Sequence, residues 1–246
     1  MTALLQTHEL TLAFGGLVVA DGINFSLEEG ERLAVIGQNG AGKTTFINIC
    51  TGLLKPSKGR VNFAGRDITG QSPRKIVRLG MARSFQLPQL FLDHSVRECL
   101  ELSAVARVGR LSSWNPLARG STPGEIDRML ELINLRDRQH ELCINLPEGQ
   151  RKLLDVGMSL MLEPKLLILD EPTSGVSTEE KHGVMEILMR ALDEQKVTAI
   201  FVEHDVDIVR RYATRVAAWI SGAIAADGDP TSVLTNPLIK REVLGE

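Results

Sequence analysis

The chain has 246 residues, a formal net charge of −3, and the mix of 43% hydrophobic and 24% charged residues that suits a globular core under a solvated surface. That length can bury a sizeable core, and the slight negative charge argues against a nucleic-acid-binding surface as the main business. The longest nearly apolar stretches, such as Val216 to Ala226, fall short of the ~18 residues that suggest a membrane span, and no Lys or Arg precedes Arg32 to open a secretory signal.

The first elements read as strands. His8 to Phe14 roughly alternates before Gly15-Gly16 punctuates it, and a second run leads to Ile23-Asn24-Phe25-Ser26-Leu27. Leu33-Ala34-Val35-Ile36 is apolar on both faces, as a buried parallel strand requires. Thr44 to Gly52 follows as a helix ending before the turn Lys55-Pro56-Ser57-Lys58-Gly59. Ser72-Pro73 has the form of an N-cap with Pro at the first helical position. From about Leu87 to Leu162 helical spacing takes over, as in Ile126, Met129, Leu130 and Ile133, interrupted by a Gly-, Ser-, Pro- and Arg-rich loop from Gly109 to Gly124. After Pro164 short buried strands return at Leu166 to Leu169 and Thr198 to Val202, with a helix between them. The order describes an α/β core carrying a helical lobe. Cys50, Cys99 and Cys143 are far apart and odd in number, which suits reduced thiols rather than a zinc site or a disulfide framework. Arg74, Lys75, Arg78 and Arg83 form a basic run without acidic residues, most of which a solvated helix face explains.

Chemistry concentrates in two motifs. Gly37-Gln38-Asn39-Gly40-Ala41-Gly42-Lys43-Thr44 matches GxxxxGK[ST] between a predicted strand and a predicted helix. Glycines there let consecutive N–H groups point at phosphate oxygens, and the helix start adds its positive end. Lys43 is placed to reach the β- and γ-phosphates and the Thr44 hydroxyl to ligate magnesium. Downstream, Leu166-Leu167-Ile168-Leu169 runs into Asp170-Glu171-Pro172, which puts two carboxylates at the end of a strand where ligands of open α/β sheets bind. Asp170 is placed to hold the magnesium shell and Glu171 to polarise the attacking water.

With these motifs the chain resembles the ATP-binding-cassette (ABC) ATPases along nearly its whole length. The resemblance implies a P-loop α/β core with an antiparallel β subdomain and a helical lobe. Residues 1–246 would form one domain: residues 1–86 and 163–246 the core with its β subdomain, and 87–162 the lobe. It implies ATP and Mg2+ as ligands, with Thr45 joining the P-loop residues around the nucleotide. Gln86, in Arg83-Ser84-Phe85-Gln86, matches the residue that senses the γ-phosphate through magnesium, and His204, in Glu203-His204-Asp205, matches the one that contacts the γ-phosphate. Phe14 fits the aromatic that stacks on adenine, or else it fills core. The signature that reaches a partner's nucleotide, usually LSGGQ, corresponds to Leu146-Pro147-Glu148-Gly149-Gln150, where Pro147 and Glu148 depart. Asn145 and Glu148 have capping-box spacing, a local account of that departure. Ser177 departs too, standing where Asp or Asn is more usual.

Within the family the likeness is to ATPase subunits of branched-chain amino acid uptake systems. It rests on Phe14-Gly15-Gly16, the Arg83 to Gln86 phrase, a long loop between Cys99 and Glu125, and the tail Val243-Leu244-Gly245-Glu246. Related subunits move urea, other amides, aromatic acids or lipopolysaccharide. The resemblance implies membrane permease subunits as partners, docked on Leu87-Pro88-Gln89-Leu90-Phe91, with a solute-binding protein engaged only indirectly and no nucleic acid. The signature departures favour a second, different ATPase subunit over a homodimer. The expected place is the cytoplasmic face of the inner membrane, held peripherally. Other readings are another transport system, such as lipid export, a slow soluble nucleotide-dependent regulator, or a soluble ABC ATPase working on ribosomes or DNA. The last class typically carries two cassettes or a coiled coil in place of the lobe.

Overall fold

The computed structural model of the chain describes residues 3–108 and 123–245. Two long strands, β1 (Ala3–Phe14) and β2 (Leu17–Glu28), pair antiparallel through a tight turn at Gly15-Gly16. With β4 (Lys58–Phe63) and β5 (Arg66–Asp67) they form a four-stranded antiparallel sheet in the order β2-β1-β4-β5. The second sheet has six strands in the order β10-β9-β3-β8-β7-β6. These are β3 (Arg32–Gly37), β6 (Met81–Ser84), β7 (Leu166–Asp170), β8 (Thr198–Val202), β9 (Arg215–Ile220) and β10 (Ala223–Gly228). All its pairs are parallel except β9 with β10. The apolar stretch from Val216 is therefore a hairpin at one edge of this sheet.

The central strands carry apolar residues on both faces because both faces are covered. In β3, Leu33 and Val35 enter one cluster while Ala34 and Ile36 enter the other. In β7, Leu166 and Ile168 divide from Leu167 and Leu169 in the same way. The first cluster lies around α1 (Lys43–Cys50), where Phe46 stacks against Phe25 and Trp219 at centroid distances of 5.3 and 5.2 Å. The second joins the sheet to α6 (Thr178–Gln195), α7 (Val206–Tyr212), α8 (Pro230–Thr235) and the helical lobe.

Between these lie α2 (Pro73–Arg78), with Ser72 at the N-cap position and Pro73 opening the helix as the sequence predicts but no side-chain bond from Ser72, and the lobe, built from α3 (Val96–Val108), α4 (Pro123–Leu132) and α5 (Glu148–Leu160). α5 packs close to its neighbours at Gly157, where an added Cβ would sit 2.8 Å from the Ile133 side chain. The expected loop between Cys99 and Glu125 is helical at both ends, since Cys99 lies in α3 and Pro123-Gly124 open α4. The rest of that loop lies outside the described residues. Distant in sequence, the Cys99 and Cys143 thiols meet at 3.4 Å in the lobe core, so sequence separation misplaces this pair. The short π-helical turn Lys240–Leu244 ends in the tail, and Val243 and Leu244 pack against the core beside Glu203 and His204.

Candidate functional site

β3 ends at Gly37, and the chain curls through positive φ at Gly40 and Gly42 before α1 begins. Gly42, the N-cap of α1, has φ +100, and an added Cβ would lie 2.5 Å from the Val19 carbonyl. Only glycine fits, because the first sheet presses its backbone against the loop here. The same contact brings the β1–β2 hairpin to the loop, and at its tip Phe14 is 54% exposed. Phe14 is a surface aromatic, not a core one. Lys43 is buried, and its Nζ donates to the carbonyls of Gly37 at 2.5 Å and Gln38 at 3.0 Å. Burial lowers its pKa, while Glu171 and Asp170 oppose that shift. Thr44 is exposed and Thr45 half-buried in the first turn of α1.

Asp170 closes β7, and Glu171 follows it in the left-handed region at φ +51. The Glu171 carboxylate takes a hydrogen bond from Gln86 Nε2 at 2.6 Å and lies 3.3 Å from His204 Nε2. Residues from the ends of β6, β7 and β8 thus meet at one point beside the P-loop. Asp170 is itself held: Arg83 Nη2 donates to Oδ2 at 2.6 Å, and Nη1 donates to Asn48 at 2.6 Å. Arg83 is the member of the basic run that the solvated helix face does not explain. Arg74, Lys75 and Arg78 lie exposed on or beside the short α2, but the Arg83 side chain is 8% exposed and belongs to the site.

The signature segment also differs from its sequence reading. The N-cap of α5 is Pro147, with no side-chain hydrogen bond, and Asn145 closes a short 3-10 turn, Cys143–Asn145. No capping box forms, because the helix begins at Glu148 itself. Leu146 is buried, Pro147 exposed, and Glu148, Gly149 and Gln150 half-buried. Ser177 caps α6 in position, with its hydroxyl on Glu180 at 2.8 Å. In the expected docking segment, Leu87 and Phe91 are 72% and 50% exposed, whereas Leu90 packs against the core.

Two residues escaped the sequence reading. Glu203 is buried and accepts from Thr173 N, Thr173 Oγ1 and His204 N, tying the segment after Glu171 to His204. Lys152 is buried in α5, and its Nζ donates to the carbonyls of Gln86 and Glu171. Helical spacing held a signal for the second, since Lys152, Asp155, Val156 and Ser159 form one buried stripe.

A parallel sheet whose strand ends gather a glycine loop, a buried lysine, paired carboxylates, a glutamine and a histidine defines a P-loop nucleotide hydrolase. The family model described as ABC transporter matches residues 20–174, and the chain belongs to that family as an ATP-binding, ATP-hydrolysing member. The probable branched-chain amino acid transport ATP-binding protein LivG of Archaeoglobus fulgidus is 36% identical over 246 residues, covering 98% of this chain and 95% of the relative. The high-affinity branched-chain amino acid transport ATP-binding protein BraF of Pseudomonas aeruginosa is 32% identical, covering 99% and 98%. A solved ATP-binding cassette of an ABC transporter in its ADP conformation superposes with a TM-score of 0.83 at 29% identity, covering all of both chains. No helix among the described residues is long and apolar enough to cross a membrane.

Proposed function

We propose that this chain powers a membrane importer of branched-chain amino acids or related small solutes such as amides, urea or organic acids. The observation that carries the hydrolytic site is the convergence of Gln86 and His204 on the Glu171 carboxylate. The donor set fits a magnesium-bound nucleoside triphosphate: a glycine cradle that a Cβ would obstruct, a lysine among loop carbonyls on which the Asp170 and Glu171 carboxylates act, and the exposed Thr44 next to it. Bound ATP with Mg2+ supplies the phosphoryl group and the charge that must be neutralised. In this reading Gly37 to Thr45 hold the phosphates, Thr44, Gln86 and Asp170 hold the metal shell, and Phe14 supports the adenine. Glu171 takes the proton of the attacking water, with Gln86 and His204 directing its carboxylate. Core (1–86, 163–246) and lobe (87–162) act as parts of one domain.

The solute class rests on the relatives, and the docking surface on exposure. Phe85, Leu87, Phe91, Leu92, Leu142 and Ile144 are all more than 40% exposed, and Ile144 N donates to the Leu92 carbonyl at 3.2 Å, which joins their two segments. Such a surface suits a permease at the cytoplasmic face of the inner membrane, with a solute-binding protein acting on the permease from the other side. Pro147, Glu148 and Ser177 favour a different ATPase subunit opposite this one. The test is Leu87→Asp with Phe91→Asp, reading permease co-purification from detergent-solubilised membranes. Co-purification should fail while ATP binding survives, and intact co-purification refutes the docking role. Leu90 is left alone because charging it would test the core instead.

A further inference from the structure

Lys152 belongs to no recognised motif, yet it is 4% exposed at the meeting point of three segments. Its Nζ lies 2.8 Å from the Glu171 carbonyl and 3.2 Å from the Gln86 carbonyl. If burial were the only need, an apolar side chain would fill the space. An ammonium does what an apolar side chain cannot: it donates to two main-chain carbonyls at once. The carboxylates of Glu148, Asp155, Glu171 and Glu203 act on the charge from around it.

Glu171 is where such a donor matters most. Non-glycine residues seldom adopt φ near +51, and they do so where surrounding bonds over-determine the backbone. Here the Glu171 N–H donates to the Val202 carbonyl at 3.1 Å, while its own carbonyl accepts from Ser174 N at 3.1 Å and from Lys152. That backbone conformation aims the carboxylate at Gln86 and His204. The same helix grips the other side of the site. One turn beyond Lys152, Asp155 accepts from the Ser84 hydroxyl at 2.5 Å, two residues before Gln86.

We propose that Lys152 is a positioning residue: its ammonium joins the main-chain carbonyls of Gln86 and Glu171, so the first turns of α5 set the direction of both side chains in the same chain's site. The inference rests on reading Glu171 as the general base. It gives α5 a second task. The helix that presents Glu148, Gly149 and Gln150 at its start also holds the hydrolytic residues of its own subunit. A movement of that helix is therefore felt at Glu171 without any contact to nucleotide.

The experiment compares Lys152→Met, Lys152→Gln, Lys152→Arg and Glu171→Gln in the full chain. Lys152→Met should keep the Kd for a fluorescent non-hydrolysable ATP analogue, and the KM, within about twofold, while kcat falls by up to about 100-fold, the scale of a small misplacement at a reacting centre. In the nucleotide-free protein, amide hydrogen exchange should quicken at residues 171–175 and stay unchanged in α3 and α4. Lys152→Arg, which keeps a cationic donor, should recover most of kcat and restore the slow exchange. Lys152→Gln, a gentler change should the Met variant not fold, should lie between them. Wild-type kcat and exchange in Lys152→Met would overturn the inference, as would a parallel loss of kcat, nucleotide affinity and melting temperature. Wild-type turnover in Glu171→Gln would instead overturn the base assignment beneath it, so the two failures are distinguishable.

Discussion

The P-loop face and the signature end of α5 are built on opposite plans. At the P-loop face, side chains from distant elements hold one another, as Gln86 holds Glu171 and Arg83 holds Asp170. Backbone there takes conformations that only neighbouring elements stabilise, at Gly42 and at Glu171. At the signature end the bonds are local. Pro147 caps without a side-chain bond, Ser177 turns its hydroxyl to Glu180 in its own helix, and Arg151 Nη2 donates to the nearby Ile144 carbonyl. A face that works within one chain is assembled by tertiary bonds. The signature end, by contrast, is held mainly by bonds within its own stretch of chain.

Four measurements press on that contrast. The largest effect belongs to Glu171→Gln, which keeps size and polarity but removes the base. Turnover should fall roughly 100- to 10,000-fold while ATP binding is preserved, and single-turnover hydrolysis with an equilibrium binding assay reads both. Lys43→Ala should weaken ATP binding instead, by roughly 10- to 100-fold, since charge-assisted hydrogen bonds are worth about 1.5–3 kcal/mol. Equal affinity by calorimetry would remove Lys43 from the phosphate site. Phe14→Ala should weaken ATP and GTP alike by about 1–3 kcal/mol, the range of base–aromatic stacking, and unchanged affinity for both would show that the adenine rests elsewhere. The smallest effect is expected at the signature end. The isolated chain should hydrolyse slowly, and Pro147→Ser with Glu148→Gly should speed it several-fold, because a carboxylate about 5 Å from a phosphate oxygen repels it by roughly 1 kcal/mol even at the dielectric of water. Fast cooperative hydrolysis by the unmodified chain would erase the contrast between the two faces.

What the sequence made legible was the chemistry that is local in the chain. The P-loop and the Asp170-Glu171 pair announce themselves because strand, glycines and charged residues are contiguous. Gln86 and His204 stand out in the sequence only by resemblance, since their meeting at Glu171 spans 85 residues in one case and joins separate strands in both. Arg83 looks like its basic neighbours in sequence because the ion pair that defines it reaches 87 residues downstream. The capping-box reading of Asn145 and Glu148 failed because spacing alone does not say where a helix begins, and here Pro147 takes the N-cap. Lys152 follows Arg151 and precedes Leu153-Leu154, and these neighbours in sequence do not set it apart from a surface charge. Only the packing of α5 against β6 and the end of β7 turns it inward.

The order of strands in the six-stranded sheet bears on how the chain is made. β3, which leads into the P-loop, is flanked by β8 and β9. Thr198 in β8, whose hydroxyl accepts from Gly30 N, lies 168 residues further along. At 5–20 residues per second the ribosome takes roughly 10–30 s to deliver that partner. Throughout that interval the apolar run Leu33-Ala34-Val35-Ile36 has neither of its sheet neighbours, and an unpaired apolar strand is a site of aggregation. The first sheet and α1 are complete well before then, so they are positioned to shelter one face of β3 while it waits. A nascent chain halted before Thr198 carries the whole phosphate-binding motif and cannot yet build the sheet that shapes it.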